Sequence, residues 1–184
     1  MALQGQASLL EIAMNANTTT KRQPIEAAVI DPRVRIGHVH LRVSDLERSL
    51  AFYCNVLGFE LTGRLDNEAA FLSAGGYHHH IALNTWRSRG GNRPAAGTTG
   101  LHHVAILYPD RATMAAAYRR VVAHGIAITG AADHGGSEAV YLDDPDGNGI
   151  ELTWDRPRNE WPRTPDGKLM LINGPLDLEA LAAA

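Results

Sequence analysis

The sequence is poor in cysteine, in long apolar runs and in excess basic charge, and each shortage excludes a class of protein. Its one cysteine, Cys54, cannot form an intramolecular disulfide framework or a cysteine-based zinc site. No apolar run approaches the roughly 18 residues of a membrane-spanning helix. Lys and Arg number 17 against 20 Asp and Glu, so the clustered basic excess of a nucleic-acid-binding protein is missing. We therefore expect a cytoplasmic protein with no nucleic-acid partner and no membrane.

The length and composition indicate one globular domain with extensions at both ends. The chain has 184 residues, of which 45% are apolar and 20% charged, as is usual for globular proteins. Residues 1–33 are predicted to be an N-terminal arm, and they lack the basic and long apolar regions of a secretory signal. Residues 34–161 are predicted to form the domain. Residues 162–184 are predicted to form a C-terminal tail that ends in a helical pattern.

The predicted domain contains an internal repeat. The segment GHVHL, at 37–41, corresponds to HHVAI at 102–106, and beyond it Asp45 falls on Asp110 and Tyr53 on Tyr118. Both units, at about 34–86 and 101–154, show the pattern of a strand, a helix and three further strands. The sequence therefore predicts an α+β fold built from paired βαβββ modules.

Alternation along the first strand assigns its side chains to two faces. Predicted strand 34–43 has Val39, Leu41 and Val43 on one face and His38 and His40 on the other. Because a helix must cover the apolar face of each small sheet, the histidines are expected to point away from the helix. Two such sheets side by side would enclose a cavity into which the histidines point.

The predicted helices have recognisable start and stop signals. Ser44 and Glu47 have the spacing of a capping box, which predicts that the first helix begins at Ser44. Gly58 is expected to end that helix, since glycine tolerates a positive φ. Asp110 is expected to cap the second helix.

Three potential metal ligands occupy related positions in the repeat. His38 and His103 are equivalent residues of the two first strands, and alternation turns Glu151, on the last strand, towards the same cavity. Two imidazoles and one carboxylate with open positions suit Fe(II), and also Mn(II), Co(II) or Zn(II). The repeat has Ala82 where a second carboxylate would stand opposite Glu151. One side of the metal would thus be left for exogenous ligands.

Other polar residues also occur near the predicted cavity. Strict alternation would direct His78 and His80 into it, and would turn His79 away. His134 precedes a Gly-Gly turn, and Tyr141 follows in the next strand. His124, by contrast, ends a helix, where a cation suits the helix dipole, and is expected to be structural.

Four segments together resemble a known family. They are IGHVHLRVSDLERSLAFYCNVLGFEL, AAFLSAGGYHHHIALNTW, GLHHVAILYPDR and DHGGSEAVYLDDPDGNGIELTWDRPR. They are similar to the vicinal oxygen chelate superfamily of glyoxalases, bleomycin resistance proteins and extradiol dioxygenases, and most resemble the type I extradiol catechol 2,3-dioxygenases. The resemblance implies a U-shaped mixed sheet around a metal cavity. It also implies Fe(II) bound by His38, His103 and Glu151.

The resemblance further implies a set of catalytic residues and a reaction. The family pattern assigns to His79 the role of an acid/base that does not bind the metal itself, which would require a bulge in its strand. It assigns the pair of residues near the substrate to His134 and Tyr141. The expected reaction is ring cleavage of a catechol-type diol beside its hydroxyls with O₂, with both oxygen atoms retained. No substrate-binding residues are identified.

One departure from the family pattern leaves other functions open. Most type I extradiol enzymes have four modules, whereas this sequence has two. The missing half is either dispensable or supplied by a second subunit, and a homo-oligomer such as a homodimer is expected. A glyoxalase-like lyase or isomerase, or a thiol transferase, is an alternative, although a glyoxalase-type site would favour a carboxylate at Ala82. A non-catalytic ligand-binding protein is a third possibility, but it would not need the three ligands.

Overall fold

The computed structural model describes residues 29–184. The chain divides into two compact units, residues 1–35 and 36–184, and the predicted N-terminal arm lies outside the described residues up to residue 28. Every helix and strand of the described part belongs to the second unit. None of the helices between residues 29 and 184 is both long and apolar enough to cross a membrane.

Two βαβββ modules form the second unit, as predicted. The first consists of β1 (Val39–Arg42), α1 (Leu46–Leu50) with a π-helical continuation (Ala51–Val56), β2 (Glu60–Leu65), β3 (Ala69–Ser73) and β4 (Ile81–Asn84). The second consists of β5 (Val104–Tyr108), α2 (Arg111–Ala123), β6 (Ile128–Asp133), β7 (Ser137–Asp143) and β8 (Gly149–Asp155). A 3₁₀ turn (Arg158–Glu160) and α3 (Leu178–Ala182) follow.

Each module contributes one four-stranded mixed sheet. The strand orders are β1-β4-β3-β2 and β5-β8-β7-β6, and in each sheet the first pair is parallel and the others are antiparallel. The sheets are not closed into a barrel. The fold is the α+β vicinal oxygen chelate fold, with a core of apolar side chains contributed by both modules.

The alternation predicted for the first strand is confirmed, but its length is not. Leu41 and Val43 are buried and His40 is exposed, so the apolar side chains do face the core. The strand begins at Val39 rather than at residue 34, because its only partner strand, β4, offers four residues for pairing. The histidines at 78–80, which strict alternation treats as part of a strand, lie before the observed strand, Ile81–Asn84.

One helix cap differs from the prediction. The N-cap of α1 is Asp45, whose carboxylate accepts a hydrogen bond from the backbone N–H of Arg48. Ser44 does not cap the helix, because its hydroxyl donates to Asp146 at 2.6 Å. The predicted cap Asp110 and the positive φ of Gly58 are confirmed.

The C-terminal tail packs onto the second module. Asp177 caps α3, and Leu181 is fully buried, in the core that also contains residues of α2. Further back along the tail, Gly174 exchanges two backbone hydrogen bonds with Asp133, at 2.8 and 2.9 Å, at the end of β6. The tail therefore covers the outer edge of the second sheet, which would otherwise present unpaired backbone groups.

A buried carboxylate joins the two modules. Asp144, in the loop between β7 and β8, is 1% exposed and accepts a hydrogen bond at 3.0 Å from the hydroxyl of Tyr53 in the first module. It also accepts from the backbone N–H groups of Asp146 and Asn148 and from the Asn148 amide, each at 2.8 Å. The buried charge is thus compensated by four donors, as burial requires. Burial and the nearby Asp144 charge raise the pKa of Tyr53 well above its usual value.

We expect Tyr53→Phe to destabilise the protein by about 1–3 kcal/mol, because it leaves a buried charge with one donor fewer. Urea denaturation followed by circular dichroism measures this loss. Tyr108→Phe is the matched control: Tyr108 is a partly buried tyrosine of β5 whose raised pKa reflects burial and involves no hydrogen bond. Equal stabilities of the two variants would contradict a stabilising role for the Tyr53–Asp144 contact.

The start of β8 passes very close to the chain that precedes β5. A Cβ atom at Gly149 would overlap the carbonyl oxygen of His102 and would lie 3.1 Å from the Cβ of His103. Glycine at this position is therefore what allows the two parallel strands to pair in the observed register, with Val104 beside Ile150.

Gly149→Ala is expected to push β5 away from β8 and to cost about 1–3 kcal/mol, as overpacking commonly does. Gly63→Ala is the control, because a Cβ there would be 3.7 Å from the Phe71 ring, an ordinary contact in a strand of the other sheet. Thermal unfolding of both variants tests the difference. A Gly149→Ala protein as stable as the control would show that the close approach is not required.

Candidate functional site

His103 and Glu151 meet at the parallel pair of the second sheet. His103 immediately precedes β5, and Glu151 is the third residue of β8, with Ala105 as its register partner. The His103 Nε2 and Glu151 Oε2 atoms are 2.9 Å apart, and Glu151 is buried. The structure therefore brings two of the three predicted metal ligands into direct contact.

This separation fits two ligands of one metal ion. Imidazole nitrogens and carboxylate oxygens lie about 2.0–2.2 Å from such an ion, so two of them at right angles are separated by about 3 Å. The donors are an imidazole and a carboxylate, which are the chemical types that non-haem Fe(II) sites use. The His103–Glu151 pair is thus suited to hold two adjacent positions on a divalent metal.

His38 lies on the other sheet. It immediately precedes β1, as His103 precedes β5, and its ring packs against the His79 ring with centroids 4.4 Å apart. His38 also lines a cavity of about 340 Å³ that is lined in addition by Val104 and Ala105 of β5. Within residues 29–184, however, no three His, Cys, Asp or Glu side chains form a cluster that could hold a metal ion. The predicted three-ligand set is therefore only partly assembled in the structure.

The three consecutive histidines precede β4 instead of forming part of it. Alternation therefore does not apply to them, and no bulge is needed to turn His79. His79 contacts His38 and lies 5.1 Å from the Phe71 ring, while the Nδ1 of His80 lies 3.2 Å from Ser73 Oγ. Partial burial and the neighbouring histidine charges, that of His38 first, lower the pKa of His79. A lowered pKa favours the neutral imidazole, which can accept a proton.

His134, Tyr141 and Glu151 form a connected chain of polar contacts. The His134 Nε2 and Tyr141 hydroxyl oxygen are 2.9 Å apart, and the same hydroxyl lies 3.4 Å from Glu151 Oε1. Tyr141 is the register partner of Glu151 on β7, and its ring centroid is 5.5 Å from that of His103. Burial, followed by the Glu151 charge, raises the pKa of Tyr141. Four of the six predicted site residues thus lie in one group.

The register of the two sheets shows how the repeat became asymmetric. Val39 pairs with Ile81 as Val104 pairs with Ile150, so Ala82 occupies in the first module the position that Glu151 occupies in the second. Ala82 is fully buried. At these two equivalent positions, the carboxylate therefore comes from the second module alone.

Two contributors to the site have little or no signal in the sequence analysis. The carbonyl oxygen of Ile172, in the tail, lies 3.0 Å from His134 Nδ1. A backbone carbonyl has no sequence signature, so sequence alone could not have identified it. Asp144 supports the loop that leads into β8, and the turn-forming residues around it, DDPDGNG, are the signal that could have identified it.

Comparison with known proteins identifies relatives named dioxygenases and relatives named lactoylglutathione lyases. The chain is 45% identical over 146 residues to catechol-2,3-dioxygenase of Bacillus subtilis, covering 79% of this chain and 50% of that protein. It is 32% identical over 124 residues to biphenyl-2,3-diol 1,2-dioxygenase 3 of Rhodococcus globerulus, covering 66% and 63%. The chain thus spans about half the length of the first relative and less than two thirds of the second.

A solved structure and a family model complete the comparison. The crystal structure of lactoylglutathione lyase from Agrobacterium tumefaciens matches with a TM-score of 0.53 and 25% identity, over 67% of this chain and 96% of that one. Residues 35–152, which contain both modules except for the last residues of β8, match the model of one family. The chain belongs to the glyoxalase/bleomycin resistance protein/dioxygenase superfamily.

Proposed function

We propose that this protein is an Fe(II)-dependent extradiol dioxygenase that cleaves a catechol-type aromatic diol with O₂. The observation that carries the proposal is the 2.9 Å contact between the His103 imidazole and the buried Glu151 carboxylate, with Ala82 at the position of the first module equivalent to Glu151. The 45% identity to a protein named catechol-2,3-dioxygenase supports the choice of reaction. His38 is the proposed third ligand.

Fe(II) bound there would act as a Lewis acid towards the diol oxygens and would conduct electrons from the diol, which is the reductant, to O₂. The donor set leaves part of the metal's coordination sphere for the diol and O₂, since three protein ligands fill only half of six positions. His103 and Glu151 would hold the metal on the second sheet. The neutral His79, whose pKa is lowered, would accept and return a proton on the side of His38.

Tyr141 would orient the diol. Its hydroxyl lies 3.4 Å from Glu151 Oε1 and next to the His103 ring, so a molecule bound at the pair would lie within its reach. The Nε2 atom of His134 lies 2.9 Å from the same hydroxyl oxygen, so a hydrogen bond between the two side chains fixes the orientation of the hydroxyl.

A lactoylglutathione lyase-like activity is the second candidate. The observation in its favour is the structural similarity to the Agrobacterium tumefaciens lyase, with a TM-score of 0.53 and 25% identity. The buried methyl group of Ala82 weighs against it, because a glyoxalase-type site would favour a second carboxylate at that position.

The main test is oxygen uptake by protein loaded anaerobically with Fe(II), assayed with a panel of catechols. We expect uptake and a yellow ring-cleavage product from the unaltered protein. His103→Ala should reduce uptake at least about a hundredfold and should lower the bound iron, because a metal ligand is lost. His124→Ala is the matched control, since His124 caps α2 through the Arg120 carbonyl, away from the site.

His38→Ala, in the same assay, tests the third ligand and should behave as His103→Ala does. Full iron binding with no uptake on any catechol would overturn the dioxygenase proposal. Isomerisation of the hemithioacetal of methylglyoxal and glutathione, assayed with other divalent metals, would then support the lyase.

Tyr141→Phe separates substrate orientation from metal binding. The variant keeps the ring beside His103 but loses the hydroxyl, so we expect iron content to stay unchanged while kcat falls about 10- to 100-fold. Tyr118→Phe, on the helix that covers the same sheet, is the control. Iron analysis and steady-state kinetics provide the two readings. An unchanged kcat would remove Tyr141 from the proposed site.

A further inference from the structure

The contacts of His134 determine which of its nitrogens carries the proton. Nδ1 lies 3.0 Å from the carbonyl oxygen of Ile172. A carbonyl oxygen can only accept a hydrogen bond, so Nδ1 must be the donor. In a neutral imidazole the other nitrogen, Nε2, is then an acceptor. Nε2 faces the hydroxyl of Tyr141 at 2.9 Å, and this hydroxyl is therefore the donor of that bond.

The direction of this bond decides what Tyr141 offers to the site. A tyrosine hydroxyl has one proton. The contact with His134, at 2.9 Å, is much shorter than the contact with Glu151, at 3.4 Å, so the proton lies towards His134. The Tyr141 oxygen then keeps its lone pairs free to accept a hydrogen bond from the hydroxyl of a ligand bound beside His103, with which Tyr141 lines a cavity of about 240 Å³.

The tail is held firmly where it meets His134. Gly174 and Asp133, the neighbour of His134, exchange two backbone hydrogen bonds at 2.8 and 2.9 Å. On the other side of His134, a Cβ atom at Gly135 would lie 2.8 Å from a Pro162 ring carbon and 2.9 Å from Ile172 Cδ1. The tail segment 162–174 thus packs closely against the turn that carries His134.

We propose that the C-terminal segment is a positioning element of the site: the Ile172 carbonyl holds His134 as the Nδ1–H tautomer, and Tyr141 consequently acts as a hydrogen-bond acceptor for a hydroxyl group of the substrate. This inference rests on the proposed function for the role of Tyr141 in turnover. The tautomer itself is independent of that function. A substrate with a free hydroxyl at this position is favoured over one whose oxygen can only accept.

Nuclear magnetic resonance of the full-length protein tests the tautomer directly. Ring ¹⁵N and ¹³C shifts of His134, recorded without added metal at an alkaline pH at which free imidazole is neutral, distinguish Nδ1–H from Nε2–H. We expect Nδ1–H in the unaltered protein. An Nε2–H ring would overturn the proposal, whatever the activity of the protein.

Gly174→Pro tests whether the C-terminal segment is what fixes the tautomer of His134. It removes the N–H that donates to Asp133, whereas Gly174→Ala keeps it and would place a Cβ 3.6 Å from the Asp133 oxygen, an ordinary contact. We expect the Nε2–H form to appear in the proline variant and to stay absent in the alanine variant. An unchanged Nδ1–H ring in both would overturn the role of the tail.

A second pair of variants covers the case in which Gly174→Pro does not fold. Gly135→Ala drives a methyl group into Pro162 and Ile172, whereas Gly125→Ala imposes a similar strain at a positive φ with nothing within 4 Å. Only Gly135→Ala is expected to convert part of the His134 rings from the Nδ1–H to the Nε2–H form. Identical His134 spectra in these two variants would count against the proposal.

Kinetics then separate this proposal from the proposed function. If the protein turns over a catechol, Gly174→Pro and Gly135→Ala should lower kcat about tenfold and change KM less than about twofold. The reason is that these variants change the position of the proton between His134 and Tyr141 and leave the other contacts of the substrate in place. Unchanged kcat in those variants would overturn the positioning role. If no catechol is turned over by the unaltered protein, the proposed function fails, and the spectra alone decide the tautomer.

Discussion

The carboxylate of Asp144 is the constraint on which the arrangement of the two modules depends. It is buried and must therefore be compensated, and its donors come from both modules: the hydroxyl of Tyr53 from the first and the loop before β8 from the second. Losing a donor to such a group costs more than an exposed hydrogen bond is worth. The same loop leads into the strand that carries Glu151, so the contact that joins the modules also sets the position of the site.

The two modules have the same fold but different side chains at equivalent positions of the site. Both sheets have the same strand order and the same register between first and last strands, yet the equivalent positions hold Ala82 in one and Glu151 in the other. Around Glu151 the second module adds His103 and Tyr141, and the tail adds a carbonyl that faces His134. The first module contributes His38 and His79, which pack against each other. Function in this fold thus depends on residues placed on a common frame.

Sequence patterns predicted the modules well and their boundaries less well. The repeat pattern predicted the four strands and the helix of each module, because burial of one face imposes a regular period on the sequence. The errors have local causes. Ser44 was expected to be a helix cap, but it bonds to Asp146, which is 102 residues away. The three histidines, which strict alternation treats as part of a strand, lie before the observed strand, which starts at Ile81. Long-range partners of this kind are not visible in a local pattern.

By itself, the sequence determined the family, the repeat and the residue types available for the site, because these follow from composition, spacing and motif. Only the tertiary structure decided which of those residues meet. It joined His103, Glu151, Tyr141 and His134, separated His38 onto the other sheet, and brought the Ile172 carbonyl to His134. The physical reason is that a side chain's chemistry is encoded at its own position. The distance between two atoms, by contrast, is set by the packing of everything between them, and for a backbone carbonyl no residue type marks the role.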